Sequence, residues 1–123
     1  IGGKTEQGLL FIAPTSSRHT IKSQVNQNKA KNEKINILSL DDALKNIDRV
    51  DLLKMDCEGA EIDILLAASP ETLSKIKAIT AETHFPIQSL AIQVLRAKLL
   101  RFYSNVEFID QNQENLGFLY AWN

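Results

Sequence analysis

The chain has 123 residues, of which 44% are hydrophobic and 24% are charged, as in ordinary globular proteins, so disordered and collagen-like classes are excluded. The length fits one domain. A formal net charge of −1, from 14 basic and 15 acidic side chains, gives no field that would attract a polyanion, so nucleic acid is not an expected partner.

The cysteine content and the lengths of the apolar runs indicate in which cellular compartment the protein is expected. A single cysteine, Cys57, excludes an intramolecular disulfide and a multi-cysteine zinc site, and suits a reducing compartment. No apolar run approaches the roughly 18–20 residues that a membrane span needs, and no basic, apolar leader opens the sequence. We therefore expect a cytoplasmic protein that does not contact membranes. The opening Ile1-Gly2-Gly3 has no element before it, and we interpret the chain as part of a longer one.

Apolar periodicity and turn residues predict an alternation of strands and helices. In chain order, the pattern predicts a strand over residues 8–13, a polar loop over 15–34, a strand over 35–38, a short helix capped by Ser39 and reaching Ile47, a strand over 50–56, a helix over 61–68, a helix capped by Ser69 and ending near Lys75, a strand over 76–82, a helix over 87–103, and strands over 106–109 and 118–122.

This order predicts an α/β fold with a mostly parallel sheet that ends in an antiparallel hairpin. The strands over 50–56 and 76–82 are apolar on both faces, which is typical of strands buried in a parallel sheet. The helix over 87–103 carries an apolar stripe that should face the sheet, made of Leu90, Val94, Leu95, Leu99 and Phe102. The loop over 15–34 is either a solvated surface loop or a lid on the substrate side.

Charged side chains cluster at the end of the strand over 50–56. A lysine within a buried strand is costly unless it is paired, and alternation places Lys54, Asp56 and Glu58 on one face. The three charges either neutralise one another or form the floor of an active site. Gly59 follows them, either as a turn glycine or where a backbone approaches a ligand. Cys57 points to the other face and is expected in the core.

A second group of polar side chains ends the strand over 76–82. Glu82 and His84 can each accept a proton or bind a metal, and a purely structural pair is equally consistent with their spacing. If the two strands are adjacent and parallel, Asp56 and Glu82 can lie near each other and near His84, at the sheet edge where such folds bind their ligands. The other histidine, His19, falls in the polar loop and is expected to be solvated.

The stretch Val-Asp-Leu-Leu-Lys-Met-Asp-Cys-Glu-Gly-Ala-Glu, residues 50–61, resembles the signature of the FkbM methyltransferase family, an apolar strand ending in Lys-x-Asp-x-Glu-Gly-x-Glu. Two flanking features match in order, Ser-Leu-Asp-Asp at 39–42 and Ala-Glu-Thr-His at 81–84. The similarity covers the chain from about residue 35 to residue 82.

The resemblance implies a Rossmann-like class I methyltransferase domain whose final strand is antiparallel. It implies transfer of a methyl group from S-adenosylmethionine to a hydroxyl oxygen of a small molecule or sugar. The signature strand would be the fourth of that fold, with its end beside the transferred methyl group. The resemblance thereby makes catalytic candidates of five residues: Lys54, Asp56, Glu58, Glu82 and His84.

One expected part of the family pattern is absent. Family members carry, before this region, an Asp-x-Gly-x-Asn-x-Gly turn and an acidic residue that hold the cofactor, and neither occurs here. Residues 1–123 therefore match the C-terminal portion of a single methyltransferase domain, and the cofactor-binding residues stay unassigned. We expect this chain alone to bind S-adenosylmethionine poorly and to be inactive.

Two alternatives stay open. In the first, Asp56 and Glu82 hold a divalent metal that lowers the pKa of the acceptor hydroxyl, although a metal-free site is favoured. In the second, the chain is a non-catalytic α/β interaction module that has lost its cofactor half. Such a module would associate through an exposed sheet edge, for example as a homo-oligomer.

Overall fold

The computed structural model of the chain describes residues 1–12, 31–86, 88–113 and 116–123. The described elements, in chain order, are β1 (Glu6–Ile12), β2 (Lys31–Ile37), α1 (Leu40–Leu44), β3 (Leu53–Met55), α2 (Glu61–Ala67), α3 (Pro70–Lys75), β4 (Ala78–Thr83), α4 (Leu90–Leu99), β5 (Asn105–Gln113) and β6 (Leu116–Trp122). No helix among these residues is long and apolar enough to cross a membrane.

A four-stranded mixed sheet organises the chain, with the strand order β3-β4-β6-β5. Strands β3 and β4 are parallel, whereas β6 is antiparallel to both of its neighbours. The predicted α/β class and the antiparallel hairpin at the end are therefore confirmed. Strands β1 and β2 form a separate antiparallel pair, as expected if the first strand is half of a hairpin.

One face of the sheet carries the core. Burial alternates strictly along β4, where Ile79, Ala81 and Thr83 are buried and the residues between them are half-buried. Because successive strand side chains point to opposite faces, this alternation shows that one face is covered. Helix α2 contacts both β4 and α4 on the covered side, and Leu65 and Leu95 are fully buried there.

Serine side chains start three of the helices. The hydroxyls of Ser39, Ser69 and Ser89 accept the backbone N–H three residues later, which satisfies a donor that the helix itself leaves unpaired. Pro70 occupies the first turn of α3, where its missing N–H costs nothing. The caps predicted at Ser39 and Ser69 are confirmed.

The loop predicted over 15–34 is wrong at its end. Residues 13–30 lie outside the described residues, but residues 31–34 belong to β2 and pair with β1. The polar sequence Lys-Asn-Glu-Lys lacks strand periodicity, and only its partner strand makes it extended. Backbone hydrogen bonds to β1 supply what the side chains do not.

The strand predicted over 50–56 is shorter and more exposed than expected. Only Leu53–Met55 forms the ladder with β4, and Val50 makes an isolated parallel bridge to Ile76. Strand β3 lies at the edge of the described sheet, so Leu52 is 60% exposed and Lys54 is exposed. The predicted burial of Lys54 is wrong because the strand has a described neighbour on one side alone.

A helix is present within residues 87–103, as predicted, but the face that it buries differs from the predicted one. Leu90 is 74% exposed and Val94 is 49% exposed, whereas Ile92, Leu95 and Leu99 are buried. Apolar residues at spacings of three and four occupy two overlapping stripes of this helix. Its orientation against α2 and the sheet decides which stripe is covered.

Tyr103 links the end of α4 to α3, and this contact yields the first prediction. Its hydroxyl is buried and donates a hydrogen bond of 3.1 Å to the Leu73 carbonyl. Burial raises the pKa of Tyr103 to about 12. Replacing it by phenylalanine removes this hydrogen bond, while the Leu73 carbonyl still accepts the Ile76 N–H, so Tyr103→Phe should lower the free energy of unfolding by about 1 kcal/mol, the net value of one hydrogen bond.

The same group predicts an alkaline effect. Between its ordinary pKa near 10 and about 12, the folded wild type holds a proton that the unfolded chain has released, so stability falls as pH rises through this range. Urea unfolding at pH 7 and at several alkaline pH values should show this fall in wild type and a smaller one in Tyr103→Phe. Tyr120→Phe is the matched control and should behave as wild type, and equal curves for all three proteins would contradict the prediction.

Candidate functional site

The candidate site lies where the carboxyl ends of β3 and β4 meet. These strands are parallel neighbours, so the residues that follow them lie at the same edge of the sheet. Residues 56–60 form the turn between β3 and α2, and His84 follows β4 directly. The backbone positions of Asp56, Glu82 and His84 are therefore at the ends of adjacent parallel strands, as the sequence indicated.

His84 is the centre of a cluster of carboxylates. Its Nε2 lies 3.6 Å from Glu58 Oε2 and 3.6 Å from Glu82 Oε1. Its Nδ1 lies 3.9 Å from Glu61 Oε2. The ring is 30% exposed, so one side can meet an incoming molecule while the other faces the protein. The structure thus brings together three of the predicted residues and adds Glu61.

Glu61 is the residue that sequence reasoning missed. It stands in the first turn of α2 and is fully buried. Its carboxylate accepts the backbone N–H of Cys57 at 2.5 Å and that of Gly59 at 3.0 Å. A signal was present, because an acid in the first turn of a helix can reach back to backbone N–H groups that precede the helix, as in a capping box.

The turn that Glu61 holds has an unusual backbone. Glu58 has a φ of 53° and Gly59 a φ of 98°. Positive φ is uncommon for a residue with a Cβ, and such residues concentrate at functional sites. A Cβ at Gly59 would lie 3.9 Å from His84 Cβ, an ordinary contact. Gly59 is therefore required by its dihedral angle, which supports the prediction of a turn glycine.

Lys54 and Asp56 do not join the cluster in the way that alternation predicted. Both are exposed, and no ion pair among the described residues joins Lys54 to Asp56 or Glu58. Mutual neutralisation of the three charges is therefore wrong. The physical reason is that β3 ends at Met55 and the chain turns at Glu58 and Gly59, where φ is positive, so the strand alternation on which the shared face depended does not extend to Glu58.

Cys57 is exposed, so its predicted place in the core is wrong. Partial desolvation and the negative charge of Glu61 raise the pKa of its thiol. A raised pKa leaves less thiolate at neutral pH, which disfavours nucleophilic catalysis by this residue. Because the pKa of its thiol depends on Glu61, the reactivity of Cys57 can be used to monitor the turn after β3.

The described part of the chain contains no group of three or more His, Cys, Asp or Glu side chains arranged to hold a metal ion. The side chains of the cluster are an imidazole and three carboxylates, which can accept and donate protons. An imidazole flanked by carboxylates can take a proton from a bound molecule, and the nearby negative charges attract the positive charge that the ring then carries.

Comparison with known proteins identifies a family. The family model described as "Methyltransferase FkbM domain" matches residues 1–120, which is nearly the whole chain. No curated protein and no solved structure matches.

Substitution of Gly59 tests the strain in the turn. Because Gly59 has a φ of 98°, Gly59→Ala should lower the free energy of unfolding by about 1–2 kcal/mol. Glu58→Gly is the control, since glycine adopts the φ of 53° without penalty and should change that free energy by about 0.5 kcal/mol or less. Chemical denaturation measures both variants, and an unaffected Gly59→Ala would contradict the assignment.

The thiol of Cys57 gives a prediction that concerns pH. Since its pKa is raised, the rate of alkylation by iodoacetamide should be half-maximal at a pH above the ordinary thiol value of about 8.5. The chain unfolded in urea provides the control, because its single cysteine should return to the ordinary value. Coincident pH profiles for the folded and unfolded chain would refute the prediction.

Proposed function

The chain belongs to the FkbM methyltransferase family, and we propose that it forms the acceptor side of a site that moves a methyl group from S-adenosylmethionine to a hydroxyl of a small molecule or sugar. The observation that carries this proposal is the His84 ring. It stands at the end of β4 with its Nε2 between two carboxylates and part of its surface open.

In this proposal His84 is the general base. A hydroxyl becomes an effective nucleophile only when its proton is removed as it reacts, and a neutral imidazole is the side chain best suited to this at neutral pH. The proton goes to Nε2, the nitrogen that faces the open side. Glu58 and Glu82 then stabilise the imidazolium by opposite charge at 3.6 Å.

Asp56 and Lys54 are proposed to bind and orient the acceptor. Asp56 is exposed at the end of β3, where a carboxylate can accept a hydrogen bond from the acceptor hydroxyl and hold it near His84. Orientation of this kind supplies a large part of enzymatic rate. Lys54 is exposed on β3 and is proposed to help bind the acceptor.

The sheet supports a Rossmann-like methyltransferase domain. That fold is expected to end in an antiparallel strand, and β6 lies between β4 and β5 and runs opposite to both. It is also expected to bind its ligands beyond the carboxyl ends of parallel strands, where the His84 cluster lies.

The described residues do not fit the cofactor itself. A nucleotide-like group is held by free backbone N–H groups in a glycine-rich turn at a strand end. The turn after β3 contains one glycine, and the N–H groups of Cys57 and Gly59 are both donated to Glu61. S-adenosylmethionine supplies the electrophilic methyl group when it is bound, and we assign no residue of this chain to it.

The protein expressed from its complete coding region tests the proposal. We expect His84→Asn to lower kcat by about 10²–10⁴-fold, because a positioned general base contributes that much. Asp56→Asn should also lower turnover through lost orientation of the acceptor. Release of S-adenosylhomocysteine is measured with a panel of sugars, hydroxylated lipids and other small alcohols.

The control for the histidine variant is His19→Asn, which changes the second of the two histidines and should retain turnover. Unchanged turnover in both His84→Asn and Asp56→Asn would refute the assigned roles. Absence of product with every acceptor, together with no calorimetric binding of S-adenosylmethionine by the complete protein, would favour the non-catalytic module.

A further inference from the structure

A buried charge lies directly beneath the site. Among the described residues, Glu61 is the charged side chain that is fully buried. A carboxylate in a protein interior costs several kcal/mol unless hydrogen bonds or opposite charges compensate it. An acid in the first turn of a helix can normally stay at the surface, where it still benefits from the helix dipole. The inward position of Glu61 therefore requires its own explanation.

Part of the compensation comes from the turn. The two N–H groups donated to Glu61 flank Glu58, whose φ of 53° is unfavourable for a glutamate. Hydrogen bonds on both sides of Glu58 hold the backbone in that conformation. The side chain of Glu58 thereby leaves the backbone on the side of the turn that faces His84, and its carboxylate lies 3.6 Å from Nε2.

The other contact of Glu61 is with the His84 ring. His84 Nδ1 is buried and has no hydrogen-bond partner among the described residues. Glu61 Oε2 lies 3.9 Å away, longer than a hydrogen bond but within ion-pair reach. Catalytic hydrogen bonds are often long in unliganded enzymes and shorten when substrate binds. The geometry matches a carboxylate that orients a histidine from behind.

We infer that Glu61 is a positioning residue that holds the turn after β3 and directs His84 into the tautomer with its proton on Nδ1. In that tautomer the N–H points at the Glu61 carboxylate and the Nε2 lone pair points at the open side. The inference rests on the proposed function, because it supplies the proton acceptor that His84 needs.

The competing carboxylates favour the opposite tautomer more weakly. Glu58 and Glu82 lie 3.6 Å from Nε2, but their side chains are 56% and 31% exposed. Solvent and salt screen exposed charges, and exposed side chains can move away. Glu61 has no exposure and is held by two N–H groups, so its charge acts at a fixed distance in a less polar environment.

The wild-type protein provides the first test and needs no substitution. Nitrogen NMR of the histidine side chains distinguishes the two neutral tautomers, and His19→Asn identifies the His84 signals. We expect Nδ1 to carry the proton and Nε2 to be unprotonated in the neutral ring. A neutral ring protonated at Nε2 would overturn the inference.

Glu61→Gln is the second test, with Glu71→Gln as the matched control. Both acids stand in the first turn of a helix, but Glu71 is exposed on α3. Glutamine has no negative charge and a single carbonyl acceptor, so it cannot receive both turn N–H groups as the carboxylate does. In Glu61→Gln the preference for the Nδ1-protonated tautomer should disappear, whereas Glu71→Gln should keep it.

Kinetics and the Cys57 thiol separate positioning from general destabilisation. Misplacement of a catalytic group costs about 10²-fold, so Glu61→Gln should lower kcat by about that factor, with KM changed roughly twofold or less. Loss of the Glu61 charge should also move the alkylation profile of Cys57 to lower pH. Unchanged kcat and tautomer in a folded Glu61→Gln protein would overturn the inference.

The outcomes distinguish this inference from the proposed function. If wild type transfers methyl groups but Glu61→Gln changes neither kcat nor the tautomer, Glu61 has no positioning role and the proposed function stands. If wild type transfers none, the proposed function fails, and the tautomer alone decides whether Glu61 orients His84. If Glu61→Gln does not fold, the wild-type tautomer still decides.

Discussion

The site depends on the hydrogen bonds that the fully buried carboxylate of Glu61 accepts from two backbone N–H groups. Glu61 is the first residue of α2, and its carboxylate holds the preceding turn, in which two consecutive residues have positive φ. Without these bonds the turn would lose the acceptor that offsets its strain. One side chain thus joins the end of a strand, the start of a helix and the ring of His84.

Sheet topology supplies the second constraint. Parallel pairing of β3 with β4 brings the turn after β3 beside His84, although Gly59 and His84 are 25 positions apart in the sequence. The antiparallel strand β6 gives β4 a second neighbour, whereas β3 has a described neighbour on one side alone and lies at the edge of the described sheet. Position in the sheet therefore explains both the buried alternation of β4 and the exposure of Leu52 and Lys54.

Local chemistry made the helix starts predictable from the sequence. A serine before an acidic turn predicted the caps at Ser39 and Ser69, because a hydroxyl in that place satisfies a helix N–H whatever surrounds it. Errors arose where a neighbour decides. Cys57 was expected in the core and Val94 on the buried stripe, and both are exposed. Periodicity ranks the faces of an element but does not state which face another element covers.

The sequence by itself determined the family, through Lys-Met-Asp-Cys-Glu-Gly-Ala-Glu at 54–61, and the strand ends at which polar side chains would gather. Tertiary structure alone decided which of them meet. Glu58, Glu82 and His84 converge, whereas Lys54 stays apart, because positive φ at Glu58 and Gly59 redirects the chain after Met55. The burial of Glu61 was also decided by tertiary structure. Its two N–H donors, Cys57 and Gly59, are local, but the His84 ring that it faces follows another strand, and a buried carboxylate is tolerated only where such partners surround it.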